Sequence, residues 1–250
     1  MLPKPPAVDG FVRRPHLLGE VLVVLCLLRV YDVVRAAADT RAATAIRYGE
    51  GLLRLEAVGR LDVERRANHW LVAHPAVSLP TSYVYEYAHI TVTLAVLTWV
   101  WWRRADLYRS ARNALVLTNV VGLAVFYLFP VAPPRLLPGG GFVDVLADAG
   151  FGTTHGGPVA ADQYGAMPSL HLAWAVWSAV LVGWLLGTTM QRRLLLLYPL
   201  LVTAVVVVTA NHYLLDAVVG TALALGSLHL AGKFTSGRSI SRAAERVVAR

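Results

Sequence analysis

The chain alternates between long apolar runs and shorter polar connections. Six runs approach the roughly 20 residues that a helix needs to cross a hydrocarbon layer; they fall at about 16–37, 82–102, 113–131, 170–187, 193–210 and 213–232. No internal repeat and no low-complexity tract breaks the pattern. It predicts an all-α, polytopic membrane protein of six transmembrane helices. The first run carries Arg29 and Asp32, three apart on one helical face and able to pair in place. A signal peptide is the competing reading of this run. Glu20, Arg29, Asp32 and Arg35 speak against it, and Ala36-Ala37-Ala38 speaks for it.

The connections have their own patterns. Residues 41–66 read as one or two amphipathic helices, with Glu50 and Arg54 at the favourable i,i+4 spacing while Ile46, Leu52 and Leu53 face elsewhere. This segment is expected at the outer membrane surface. Packing is its simpler role, and covering the mouth of a site its sharper one. The longest polar connection, 132–169, contains Pro133-Pro134-Arg135 and Gly139-Gly140-Gly141. Long irregular loops of this kind often serve as lids or binding loops. The basic tail after 232 reads as a short cytoplasmic helix on the membrane or as a disordered tail.

Composition agrees with the pattern. Apolar residues make up 56% of the 250 and charged residues only 15%, against about 25% charged in soluble domains. The single cysteine, Cys26, lies in an apolar run and cannot form an internal disulfide. The net charge of +8 is almost all arginine, since Lys4 and Lys233 are the only lysines. In a soluble chain this charge would raise nucleic acid as a partner. Here the bilayer explains it, because basic residues collect on the cytoplasmic side, and no nucleic-acid partner is expected. With the N-terminus inside, the cytoplasmic pieces 1–15, 103–112, 191–193 and 233–250 hold 14 basic residues, and the outer pieces 38–81 and 132–169 hold 7. Both termini are therefore expected in the cytoplasm of a plasma-membrane protein. The arginine-rich, lysine-poor usage is what a GC-rich bacterium produces.

Candidate chemistry gathers at the expected outer face. His171, in Met167-Pro168-Ser169-Leu170-His171, sits at the mouth of the fourth run. His212, in Asn211-His212-Tyr213-Leu214-Leu215-Asp216, sits at the mouth of the sixth, which runs in the same direction. Asp216 follows His212 by four residues, one helical turn below on the same side. An aspartate at that depth is costly unless paired, and His212 is its obvious partner. A carboxylate-oriented imidazole keeps one tautomer and gains basicity or nucleophilicity. Either histidine alone could be an ordinary interfacial residue. Two on one face, one with a buried orienter, beside the longest polar loop, point to catalysis.

The order P-P-R, P-S-L-H, H-Y-x-x-D resembles the type 2 phosphatidic acid phosphatase (PAP2) superfamily over roughly 80–232. It is most similar to the branch that includes inositol phosphorylceramide synthases and sphingomyelin synthases. The resemblance implies a PAP2-like bundle with the outer-surface amphipathic segment preceding it. The domains would be 1–80 (first transmembrane helix and interfacial segment), 81–232 (catalytic transmembrane domain) and 233–250 (basic cytoplasmic tail). It implies His212 as a nucleophile that forms a phosphohistidine, Asp216 as its orienter, and His171 as the acid and then the base. It implies a phosphorylated lipid substrate and metal-independent catalysis without a cofactor. The sequence itself has no H-E-x-x-H, no cysteine pair and no clustered carboxylates. Oligomeric state is open.

Further residues are candidates for substrate contact. Arg135 is the one arginine of the 132–169 loop and a candidate phosphate clamp. Gln163 and Tyr164 lie just before the P-S-L-H element, and Ser169 is its serine. Tyr85, Glu86, Tyr87 and His89 lie at the outer part of the second run, Tyr87 and His89 being candidates to bind a headgroup or support the triad, or to pack against another span. The chain departs from the phosphatase pattern. It has no K-x6-R-P, Leu170 stands for the glycine of P-S-G-H, and Val205-Val206 stand where Ser-Arg precedes the histidine. The synthase branch lacks these too, so the departures favour it. Arg112 is at the wrong face to compensate. Three other classes compete: an intramembrane serine protease using Ser169, a di-histidine haem protein, and a transporter or scaffold without chemistry.

Overall fold

The computed structural model describes residues 15–61, 63–151, 163–186, 190–191 and 195–248, with 234–248 described by backbone alone. Most of the expected cytoplasmic pieces 1–15 and 191–193 lies outside the described residues, as does 152–162 of the long connection. The described chain forms helices α1 (Leu17–Asp39), α2 (Ala42–Val58), α3 (Glu64–Val72), α4 (Pro75–Tyr83), α5 (His89–Arg103) and α6 (Ala105–Leu128). Then come α7 (Val145–Asp148), α8 (Leu170–Leu185), α9 (Leu197–Val208) and α10 (Leu214–Val248). A π-helical turn, Val84–Ala88, joins α4 to α5, and a 3-10 turn covers Pro134–Leu136. No strand occurs among the described residues, apart from an isolated bridge between Val131 and Gly165. The protein is all-α.

Helix α8 is the axle of the bundle. It is apolar all round and buries Leu172, Ala173, Ala175 to Leu181 and Gly183, as a central helix must. Helices α5, α6, α9 and α10 pack around it. Trp177 is fully buried there and donates its indole N–H to the Ala111 carbonyl at 3.0 Å. Outside this core, large apolar side chains stay exposed: Leu18, Leu22, Leu25 and Val33 on α1, Leu94 and Trp102 on α5, Leu200 on α9 and Val218 on α10. Such an exterior is what a lipid-facing bundle presents. Helices Ala105–Leu128 and Leu214–Lys233 are long and apolar enough to cross a membrane; Leu170–Leu185 and Leu197–Val208 are apolar but shorter.

Each apolar run contains a helix, but the ends differ. The second run begins earlier than 82, because Pro75 opens a rod that continues through the π turn to Arg103. The stretch 103–112 is not a loop. The chain breaks only at Arg104, which pairs with Asp106 at 2.8 Å, and then re-enters a helix whose Leu107, Tyr108 and Ala111 are buried. Its charges had masked an amphipathic turn. Helix α1 is held to α6 by Glu20, which accepts from Tyr108 Oη at 2.9 Å and pairs with Arg112 at 3.1 Å. The expected pairs Arg29–Asp32 and Glu50–Arg54 form at 4.0 and 3.9 Å on exposed faces, where such pairs contribute little.

The amphipathic segment is packed into the molecule. Ile46, Leu52 and Leu53 of α2 pack on a buried cluster of Ala45, Val131, Ala132, Leu137, Ala166 and Tyr213. Gly49 makes that approach possible, since a Cβ there would stand 2.5 Å from the Ala132 carbonyl and 2.8 Å from Tyr213 Oη. The Ala132 N–H donates to Ala45 O at 3.0 Å, and Tyr213 Oη donates to Ala132 O at 2.8 Å.

Candidate active site

Two helix mouths meet at one point. Ser169 caps α8, its hydroxyl accepting from Leu172 N–H at 3.3 Å, and its own N–H donates to the Asp216 main-chain carbonyl of α10 at 3.2 Å. One turn further along α10, Gly220 lies against Ser169, where a Cβ would run into the Ser169 carbonyl oxygen. Backbone-to-backbone contact thus fixes the first turns of α8 and α10 together. The Met167–Pro168 peptide just before α8 is cis.

That contact brings the two histidines face to face, with His212 Nε2 3.3 Å from His171 Nδ1. His212 is buried. Its Nδ1 lies 2.7 Å from the Ala166 carbonyl and 3.4 Å from Asp216 Oδ2. A carbonyl only accepts, so Nδ1 carries the hydrogen and Nε2 of the neutral ring presents its lone pair toward His171. Asp216 is fully buried; Oδ2 also accepts the Tyr213 N–H at 3.0 Å. The i,i+4 pairing read from sequence is present, and Ala166 is a second, closer orienter that the sequence did not indicate.

His171 is held on its other side by α4–α5. The Tyr85 ring stacks on it at 4.5 Å and 25°, and the His89 ring lies 4.0 Å away at 55°. Trp174 closes on His89 at 5.6 Å. The π turn matters here. The His89 ring folds back on this turn, its Nδ1 2.9 Å from the Tyr85 carbonyl. Tyr87 points elsewhere. It is 53% exposed and packs with Tyr83 and Phe151.

The turn that presents His212 is braced by the long connection. Ala210 holds a left-handed φ of 54°, a conformation that costs a non-glycine residue about 1 kcal/mol. The Arg135 N–H donates to Ala210 O at 3.0 Å, Arg135 Nε donates to Asn211 Oδ1 at 2.7 Å, and Arg135 NH1 pairs with Asp144 at 2.6 Å. The Arg135 side chain is only 7% exposed. Asp144 also caps α7. Gln163 and Tyr164 follow 152–162; the Tyr164 carbonyl accepts from Val131 N–H at 2.7 Å and its side chain packs on the Tyr213 cluster.

Three buried polar side chains of α2 and α3 reach the same region, and the sequence reading passed over all three. Asn68 exchanges two hydrogen bonds with the Val143 backbone and donates to Val208 O at the end of α9. Glu64 Oε1 accepts the Leu214 N–H at 2.9 Å, and Glu56 Oε1 accepts the Leu215 N–H at 2.7 Å. With Asp216 taking Tyr213, three carboxylates receive three successive N–H groups at the start of α10, an arrangement suited to the positive end of a helix. Burial, together with the neighbouring Glu64, pushes the Glu56 carboxyl up to about 8. A surface cleft of about 470 Å³ lies apart from the histidines, lined by Leu53, Arg54, Ala57, Arg65 and Arg66.

No curated protein and no solved structure matches the chain. One family model does, over residues 50–230, under the description PAP2 superfamily. Its match begins upstream of residue 80, where the resemblance in motifs starts, and takes in α3 and most of α2. From Glu56 through His171 to Asp216, every side chain gathered around the two helix mouths lies inside the matched residues, and the chain belongs to the PAP2 superfamily, whose domains are in general phosphatase and phosphotransferase enzymes.

Proposed function

We propose that this chain is an integral membrane lipid phosphotransferase or phosphatase working through a phosphohistidine on His212. The observation that carries the reading is the apposition of His212 Nε2 and His171 Nδ1 at 3.3 Å, with His212 Nδ1 already occupied. His212 Nε2 attacks phosphorus, the bond to the leaving oxygen breaks, and that oxygen takes a proton from His171. His171 then removes a proton from the acceptor, which attacks phosphorus and releases His212. Water as acceptor makes a phosphatase; an alcohol makes a transferase. Asp216 and Ala166 O hold the His212 tautomer. Tyr85 and His89 fix the plane of the His171 ring.

Positive charge comes from Arg135, two of whose five N–H groups are engaged by Asn211 and Asp144. The N-terminus of α8 adds a main-chain dipole. The absent phosphatase motifs favour the synthase-like branch. The basic residues favour six spans with both termini in the cytoplasm and the site at the outer face, in contact with a phosphorylated lipid in the bilayer.

The test uses purified protein in detergent or liposomes, without divalent metal, on a panel of lipid phosphates, following both free phosphate and new lipid species. His212→Ala and His171→Ala are expected to lose at least about 10³-fold in turnover, and Asp216→Asn about 10²-fold or more, each keeping its Tm within a few degrees. Full turnover in either histidine variant overturns the mechanism. Free phosphate identifies a hydrolase; a new lipid that requires an added alcohol identifies a transferase.

A further inference from the structure

Glu56 and Glu64 come from different helices, α2 and α3, and both are 0% exposed. Each places one oxygen on a backbone N–H of α10, and these N–H groups are consecutive. The other oxygen of each, Oε2, is buried with no hydrogen-bond donor. Glu64 lies within hydrogen-bonding reach of Glu56. Two buried carboxylates on consecutive N–H groups, each with one donorless oxygen, are costly as a pair of anions. One proton between them satisfies both oxygens at once. Asp216, on the facing turn of α10, adds a third carboxylate that favours keeping this proton. Tyr213 Oη is engaged by the Ala132 carbonyl and His212 by Asp216 and Ala166, so neither donates to the glutamates. Glu50 lies on the same helix and pairs with Arg54.

We propose that Glu56 and Glu64 hold a single proton between them and act as positioning residues, locking the first turn of α10 so that His212 meets His171. The pair clamps the N–H groups of Leu214 and Leu215, immediately after His212 and Tyr213. Its function as a positioning device rests on the His212 mechanism above; its existence as a proton-sharing pair does not.

The carboxyl of Glu56 titrates from about 4.5 in a free chain to about 8 here. The folded state therefore binds more protons than the unfolded one across that window. This contribution to stability is complete below about 4.5 and is lost as the pH rises to about 8. Above it, two buried anions repel and the helix mouth loosens.

Glutamine is a permanent stand-in for the protonated acid. Glu56→Gln keeps an oxygen for Leu215 N–H and turns an N–H toward Glu64 Oε2. It is expected to stay within a few degrees of the wild-type Tm at pH 7, to flatten the fall of Tm between about pH 4.5 and 8, and to remove the alkaline fall of kcat with KM unchanged. Glu64→Gln behaves likewise. The double variant sets two amide N–H2 groups against each other, and its Tm is expected to lie on the order of 5 °C or more below either single variant. Additive Tm shifts in the three variants, with the pH slope intact in Glu56→Gln, would overturn the shared proton. An intact Tm cycle with the alkaline fall of kcat unchanged would overturn the positioning role. The Tm cycle needs no substrate, so it stands or falls separately from the phosphohistidine reading.

Discussion

Gly220 is the sharpest place to perturb the site without touching a reactive group. It is buried on α10, and a Cβ there would stand 3.2 Å from the Ser169 carbonyl carbon, 3.4 Å from its nitrogen, and far inside the carbonyl oxygen's contact distance. The obstacle is main chain, so no rotamer relieves it. Restoring an ordinary carbon–oxygen separation of about 3.3 Å requires α8 and α10 to part by roughly 1 Å. Overpacking of this kind costs about 1–3 kcal/mol, and replacing glycine by alanine inside a helix returns about 1 kcal/mol. The net loss of stability for Gly220→Ala is therefore about 0–2 kcal/mol, and the protein still folds. The site is less forgiving. His171 sits two residues after Ser169, and a displacement of about 1 Å between reacting groups costs on the order of 10²-fold in rate. The expected result is a kcat lower by about 100-fold beside a Tm lowered by a few degrees, measured on the lipid-phosphate panel and by thermal unfolding in the same detergent. Gly226→Ala is the control, because no atom lies within 4 Å of its added methyl group. Gly220→Ala with wild-type turnover would show that the contact between these two turns does not set the histidine geometry.

Two more outcomes follow from the surrounding hydrogen bonds. Ser169→Ala removes the cap on Leu172 N–H and is expected to cost about 1 kcal/mol in stability while turnover persists; loss of all turnover with an unchanged Tm would instead mark Ser169 as a nucleophile. Arg135→Ala leaves the buried Asn211 oxygen and the partly exposed Asp144 carboxylate without their donor and is expected to cost about 3 kcal/mol. Arg135→Ala/Asp144→Ala should recover part of that stability but none of the turnover if Arg135 also holds phosphate. Recovery of both would make it a brace alone.

The parts of the site legible in the sequence are those joined by local periodicity. His212 and Asp216 are one turn apart on one helix, and any reader of i,i+4 spacing meets them. His171 was legible because a polar loop ended abruptly in an apolar run. Tyr85 was within the same reach, being four residues before His89, yet Tyr87 was the residue singled out; its side chain leaves the cluster. The glutamates were not legible. They sit 150 and 159 residues before their backbone partners, on helices whose amphipathic pattern predicts that a glutamate faces water. The amphipathic reading located the apolar face of α2 correctly but could not show that the other side met a helix terminus needing acceptors. The helical turn after Arg104 was hidden for a related reason. A run of charges reads as a loop unless its buried face is known, and only tertiary packing reveals that face.

The π turn at Val84–Ala88 sets how tolerant this region is to change in length. It contains one residue more than a regular turn would use, and a helix advances about 100° per residue. The wider turn takes up that residue, so losing one of the five would restore an ordinary helix with α4 in nearly the same phase relative to α5. Helix α4 would still face α3 and α7, where the Ser82 hydroxyl reaches the Val145 carbonyl. A deletion within the regular helix on either side would instead turn everything beyond it by about 100°. These five positions are therefore expected to tolerate the loss of one residue better than the regular turns of α4 and α5 beside them.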